Sequence, residues 1–62
     1  MQEYRVVAPN VFERVLAGSH RGALNQVVAR MPYPEGTTLH VKKGKGLAKR
    51  YKLHGGRWVE TA

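Results

Sequence analysis

A dense group of cationic side chains is the feature of this sequence best suited to binding. Between Gly36 and Val59 the chain contains seven Lys or Arg residues and no Asp or Glu, and its formal net charge is +7. Each Lys or Arg that neutralises a phosphate releases a counterion, which favours association. The pattern therefore predicts that nucleic acid or an acidic partner binds to Lys42, Lys43, Lys45, Lys49, Arg50, Lys52 and Arg57.

Two glycines interrupt the start of this group, in the run Lys42-Lys43-Gly44-Lys45-Gly46. Glycine lets the backbone approach an anion closely. The run lacks the six-residue frame and the Ser or Thr of a phosphate-binding P-loop. An alternative interpretation is an ordinary solvated hairpin tip, because lysine also protects sheet edges from aggregation.

The register of the predicted hairpin decides whether this surface extends further. Arg50 and Lys52 share one face of a strand, and Arg57 follows across a tight turn. Cross-strand neighbours lie about 5 Å apart, so like charges repel unless an anion lies between them.

The secondary interface candidates are Arg21, Arg30 and Trp58; the alternative for Trp58 is a core tryptophan that closes the sheet.

The other polar residues form no arrangement typical of catalysis. The four glutamates are isolated in the sequence, and the three histidines lack the spacing of metal ligands. Ser19 is the single serine, and its position predicts a helix cap. We therefore expect no enzymatic activity, no catalytic residue, no metal site and no cofactor.

Composition indicates one small basic domain over residues 1–62. The absence of cysteine excludes disulfides and is consistent with a cytoplasmic protein. No apolar run approaches the roughly 20 residues that span a bilayer, and the first residues do not resemble a secretory signal. We expect no association with membranes.

Local patterns predict four strands, one clear helix and one ambiguous segment. Residues 4–8, 37–41, 47–53 and 57–61 favour strands, and His54-Gly55-Gly56 favours a tight hairpin. Residues 19–31 favour a helix, which Pro32 and Pro34 end. Residues 11–17 fit either a strand paired with residues 4–8 or a short helix that begins at Asn10, and we favour the strand.

These elements predict an α+β fold: a small antiparallel sheet of four to five strands with one principal α-helix packed on one face. The other face of the sheet is then exposed or covered by a partner. The predicted core contains Tyr4 or Val6, Leu16, Leu24, Val27, Val28, Met31, Leu39, Val41, Tyr51, Leu53 and one of Trp58 or Val59.

Several segments together resemble a known class of proteins. Ala17-Gly18-Ser19 leads into the helix, Gly36-Thr37 opens a strand, and Gly56 with Trp58-Val59 ends the chain in a hairpin. In this arrangement the chain resembles small phage-encoded anti-CRISPR and other host-takeover inhibitors. It departs from them in being more basic and in its Pro32-Tyr33-Pro34 segment. The resemblance implies a non-enzymatic inhibitor in the host cytoplasm that competes with nucleic acid for a protein groove or clamps onto a ribonucleoprotein complex.

Three hypotheses for function follow. The first is a phage or mobile-element protein that docks on a nucleic-acid-handling complex of the host through its basic hairpin. The second is direct binding of RNA or DNA, without strong base preference, through the same residues. The third is an assembly protein that forms a homodimer through its open sheet face.

Overall fold

A computed structural model describes residues 1–30 and 32–61 of the chain. Five strands form one antiparallel sheet in the order β2-β1-β3-β4-β5, and one helix connects β2 to β3. This is the predicted α+β class, with five strands. The elements are β1 (Gln2–Ala8), β2 (Val11–Ala17), α1 (His20–Val28), β3 (Thr38–Lys43), β4 (Ala48–His54) and β5 (Arg57–Thr61).

The ambiguous segment Val11–Ala17 is a strand, as favoured above, and the helical alternative is wrong. It pairs with β1 from Gln2↔Ala17 to Ala8↔Val11, with Pro9 and Asn10 at the turn. Two turns of helix are only marginally stable in water, whereas a full ladder of backbone hydrogen bonds to β1 stabilises the strand.

Helix α1 begins where the sequence predicts and ends earlier. The Ser19 side chain accepts a hydrogen bond from the Gly22 backbone N–H at 3.0 Å, which confirms the predicted cap. At the other end, the Arg30 N–H bonds back to the Val27 carbonyl, three residues earlier, and tightens the last turn. Proline at position 32 disfavours helical geometry before it. Met31, predicted to complete the apolar stripe, lies outside the described residues.

Removal of the helix cap should weaken the fold measurably. We expect Ser19→Ala to lower the free energy of unfolding by about 1 kcal/mol, because an N–H of the first turn loses its acceptor. Urea unfolding monitored by circular dichroism tests this. Ser19→Gly should cost only a few tenths of a kcal/mol. Equal losses for the two variants would contradict a capping role.

The hydrophobic core is one cluster that joins the helix to the sheet. Its buried members are Tyr4, Val6, Val15, Ala17, Ala23, Leu24, Val27, Leu39, Val41 and Tyr51. Trp58 and Val28 pack against it partly buried, and Val59 is exposed, so Trp58 is the residue of β5 that faces the core. Leu53 is half-buried.

The prediction of Leu16 as a core residue is wrong. Its side chain is 60% exposed, whereas Val15 beside it is buried. Strand side chains alternate between the two faces of a sheet, so only one of these neighbours can point into the core. The register with β1 pairs Val15 with the buried Tyr4 and Leu16 with the exposed Glu3, and this pairing decides the parity.

The β4–β5 connection is the predicted tight hairpin. Gly55 and Gly56 have φ angles of +60° and +76°. Positive values at both central positions are typical of a type I′ turn, which glycine adopts without steric strain. The Glu35 carboxylate accepts a hydrogen bond from the Gly55 N–H at 2.5 Å and holds this turn against the loop before β3. Within the described residues, no helix is long and apolar enough to span a membrane.

Candidate functional site

The register of the five strands divides the sheet's side chains between two faces. The buried residues of β1 to β4 all belong to one parity of this register. We call the surface formed by the alternate side chains the open face. It comprises Glu3, Arg5, Val7, Phe12, Arg14, Leu16, Thr38, His40, Lys42, Ala48, Arg50, Lys52, His54, Arg57, Val59 and Thr61.

The open face is strongly cationic. Its Lys and Arg residues come from all five strands: Arg5, Arg14, Lys42, Arg50, Lys52 and Arg57. Among the described residues of this face, Glu3 is the only acid. Since neighbouring strands are about 4.8 Å apart, five strands place these charges on a surface about 20 Å wide.

Three of the cations are direct cross-strand neighbours. Arg5 pairs with Arg14 of β2 on one side and with Lys42 of β3 on the other. We call Arg14, Arg5 and Lys42 the cationic row. Like charges directly opposite each other destabilise a sheet. Arg14 also faces Glu3 at 3.9 Å, but both side chains are largely exposed and such a pair contributes little.

Arg5, at the centre of the row, has an unsatisfied donor. Its Nε is inaccessible to water and has no hydrogen-bond partner among the described residues. A buried donor without an acceptor costs about 1–3 kcal/mol. A guanidinium binds planar or tetrahedral oxyanions through two parallel N–H groups. The row thus places three like charges side by side, and an anion bound between them would relieve their repulsion.

A second row, two residues further along the strands, is less polar. Val7 pairs with Phe12 of β2 and with His40 of β3. We call Phe12, Val7 and His40 the stacking row. The Phe12 side chain is 62% exposed, which is uncommon for a large aromatic residue.

The structure separates the cations predicted from sequence into two groups. Lys42, Arg50, Lys52 and Arg57 lie together on the open face. The other three, Lys43, Lys45 and Lys49, line an open cavity of about 620 Å³ at the β3–β4 tip, together with Gln2, Glu3, His20, Gly44, Gly46 and Leu47. The seven residues therefore do not form a single surface.

The tip itself is a hydrogen-bonded turn. The Gly46 N–H donates to the Lys43 carbonyl at 2.6 Å, and the Lys43 N–H donates to Leu47 at 3.2 Å. His20 Nε2 lies 2.9 Å from the same Leu47 carbonyl. The Lys49 ammonium lies 3.9 Å from the Glu60 carboxylate. Of the tip lysines, Lys49 thus has an acid of the chain nearby, whereas Lys45 is exposed.

The secondary candidates all make contacts within the chain. Arg21 donates to the Trp58 carbonyl at 2.8 Å, and its guanidinium lies 4.9 Å from the centroid of the Tyr51 ring. Arg30 forms a 2.7 Å ion pair with Glu13. Trp58 is half-buried and packs edge-on against Tyr33. These contacts give all three a structural role, and their interface role stays a prediction.

Sequence reasoning missed Arg5, Arg14 and Phe12. A usable signal existed for Arg5, because the core candidates Tyr4 and Val6 flank it and alternation places it on the other face. The same argument would have found Arg14 and Phe12 only if Val15 had been chosen as the core residue of β2.

Comparisons of the chain with models of protein families, with curated proteins and with solved structures gave no match. Among the described residues, no three His, Asp or Glu side chains are grouped as metal ligands would be.

Proposed function

We propose that the protein is a non-enzymatic nucleic-acid-binding protein whose binding surface is the open face. One observation carries the proposal: six Lys or Arg side chains share this face with a single acid, Glu3. Clustered positive charge on one face is the electrostatic footprint of nucleic-acid binding. Phosphate contacts of this kind carry no sequence information, so weak base preference is expected.

The packing of the helix leaves this surface available. Ala23, Leu24 and Val27 of α1 belong to the same buried cluster as side chains of the opposite parity of the sheet. We infer that α1 covers that face alone. A sheet with one face packed on the core and one solvated is common among antiparallel sheets.

The charge distribution disfavours the dimer hypothesis. Two copies that met through their open faces would bring two sets of cations together without compensating acids. Both edge strands also accept hydrogen bonds from helix side chains, from Gln26 to the Leu16 carbonyl at 2.6 Å and from Arg21 to that of Trp58. Occupied carbonyls on an edge make pairing with another strand less favourable.

Salt-dependent binding to oligonucleotides tests the proposal. We expect fluorescence anisotropy to show binding whose log affinity falls linearly with log salt between about 50 and 200 mM. If all six cations contact phosphates, the slope is about −4 for single strands and about −5 for duplex. Sequences of different composition should bind within a few-fold of each other. A slope near zero, or no binding at low salt, would contradict the proposal.

Docking on a nucleic-acid-handling complex of the host is the second candidate. Four large exposed apolar side chains lie on the open face beside the cations: Phe12, Leu16, Val7 and Val59. Apolar and cationic groups side by side are typical of protein interfaces as well. A phage or mobile-element protein of this kind would act in the host cytoplasm. It would capture a stable protein partner there and bind naked oligonucleotides weakly.

A further inference from the structure

We infer that the ligand of the open face is single-stranded nucleic acid that runs across β2, β1 and β3, with phosphates on the cationic row and bases on the stacking row. The inference rests on the proposed function and specifies its ligand. Two features carry it: the alignment of the two rows and the exposure of Phe12.

The two rows are parallel and adjacent. Each residue of the cationic row is two positions from a residue of the stacking row on the same strand: Arg14 from Phe12, Arg5 from Val7 and Lys42 from His40. Two residues along a strand span about 7 Å, and their side chains point to the same side. A chain of nucleotides with charge along one edge and flat bases along the other fits this arrangement.

The exposed Phe12 distinguishes single strands from duplexes. Base–aromatic stacking requires an unstacked base, and a duplex keeps its bases stacked on one another. Cations alone would serve either ligand equally well, because both present phosphates. An exposed ring and an exposed imidazole beside the cationic row add favourable contacts only for unpaired bases.

The sequence tolerance of stacking agrees with the proposed weak base preference. Every base has a π-face, so Phe12 accepts any of them. The donors of Arg5 and Arg14 meet phosphates, which are the same for every sequence. Neither row requires a base-specific hydrogen bond.

Removal of the Phe12 ring should weaken binding to single strands and leave binding to duplex unchanged. We expect Phe12→Ala to lower the affinity for a mixed-sequence single-stranded oligonucleotide by about tenfold. The affinity for the corresponding duplex should change less than twofold. Fluorescence anisotropy at one fixed salt concentration measures both affinities for each variant.

Three further variants make the result specific. Phe12→Tyr keeps the ring and should bind like the original chain, whereas Phe12→Leu keeps an apolar side chain without a ring and should behave like Phe12→Ala. Leu47→Ala removes a similarly exposed side chain that lines the cavity at the β3–β4 tip and belongs to neither row, and this variant should bind normally. Because Phe12 is exposed, the unfolding midpoints of its variants should match that of the original chain.

Two outcomes overturn the inference while the proposed function stands. One is an original chain that binds duplex as tightly as single strands. The other is a set of Phe12 variants that all retain single-strand affinity or lose single-strand and duplex affinity equally. Absence of binding to either ligand by the original chain would overturn the proposed function and the inference together.

Discussion

Simultaneous replacement of Arg5, Arg14 and Lys42 by glutamine should remove most of the affinity for nucleic acid. These side chains form the cationic row, and each is expected to release a counterion when it meets a phosphate. The log–log slope of affinity against salt should become less steep by about 2 for single strands. Anisotropy titrations between about 50 and 200 mM salt measure both effects.

A matched variant shows whether the loss of affinity comes from the location of the removed charges or from the lower net charge. Replacement of Lys43, Lys45 and Lys49 by glutamine removes the same number of charges from the cavity at the β3–β4 tip. If the open face is the binding surface, this variant keeps most of the affinity and most of the salt slope. A larger loss from the tip lysines than from the cationic row would move the site to the cavity at the tip.

The comparison also addresses the docking hypothesis. A protein partner that used the open face would be lost from pull-downs of the variant without Arg5, Arg14 and Lys42. The variant without the three tip lysines would still capture it. Binding to naked oligonucleotides would then be weak for the original chain as well. The two triple variants therefore locate the surface whichever partner binds it.

Much of the fold follows from local patterns in the sequence. The capping serine, the helical apolar stripe and the double-glycine turn each depend on neighbouring residues, so the helix start and the last hairpin were predictable. The earlier end of the helix was not, since the sequence offers no C-capping glycine between Val28 and Pro32. The strand assignment of Val11–Ala17 was favoured because a helix there would have only about two turns, and Pro9-Asn10 permits a turn back onto β1.

The candidate site was only partly predictable, because it depends on register across strands that are distant in sequence. The basic run indicated Lys42, Arg50, Lys52 and Arg57. Arg5 and Arg14 precede that run by many residues and join its surface only because β1 lies between β2 and β3. Strand order is a tertiary property, and no local pattern in this chain specifies it.

The choice of which β2 side chains face the core was also not predictable from the sequence. Val15 and Leu16 are both apolar, and local sequence gives no reason to bury one rather than the other. The choice of Leu16 also assigned Arg14 and Phe12 to the wrong face. One error in parity therefore concealed two of the residues on which the proposed function and the inferred ligand depend.

Truncation of Leu24 should remove a large share of the total stability. The Leu24 side chain is completely buried in the cluster that joins α1 to the sheet. Leu→Ala substitutions at such positions cost about 2–5 kcal/mol. A domain of this length is stable by roughly 3–9 kcal/mol, so we expect Leu24→Ala to lose about half of that stability and to unfold at a much lower urea concentration. Urea unfolding monitored by circular dichroism measures the difference in the free energy of unfolding between Leu24→Ala and the original chain.

Leu16→Ala is the matched control, because it deletes the same atoms from a side chain that is 60% exposed. Its cost should stay below about 0.5 kcal/mol, as for most surface substitutions. Comparable losses at Leu16 and Leu24 would mean that β2 presents its other face to the core. Arg14 and Phe12 would then be removed from the open face, and the cationic row would be reduced to Arg5 and Lys42. The stability of two leucine variants therefore tests the parity on which the binding surface is built, without any ligand.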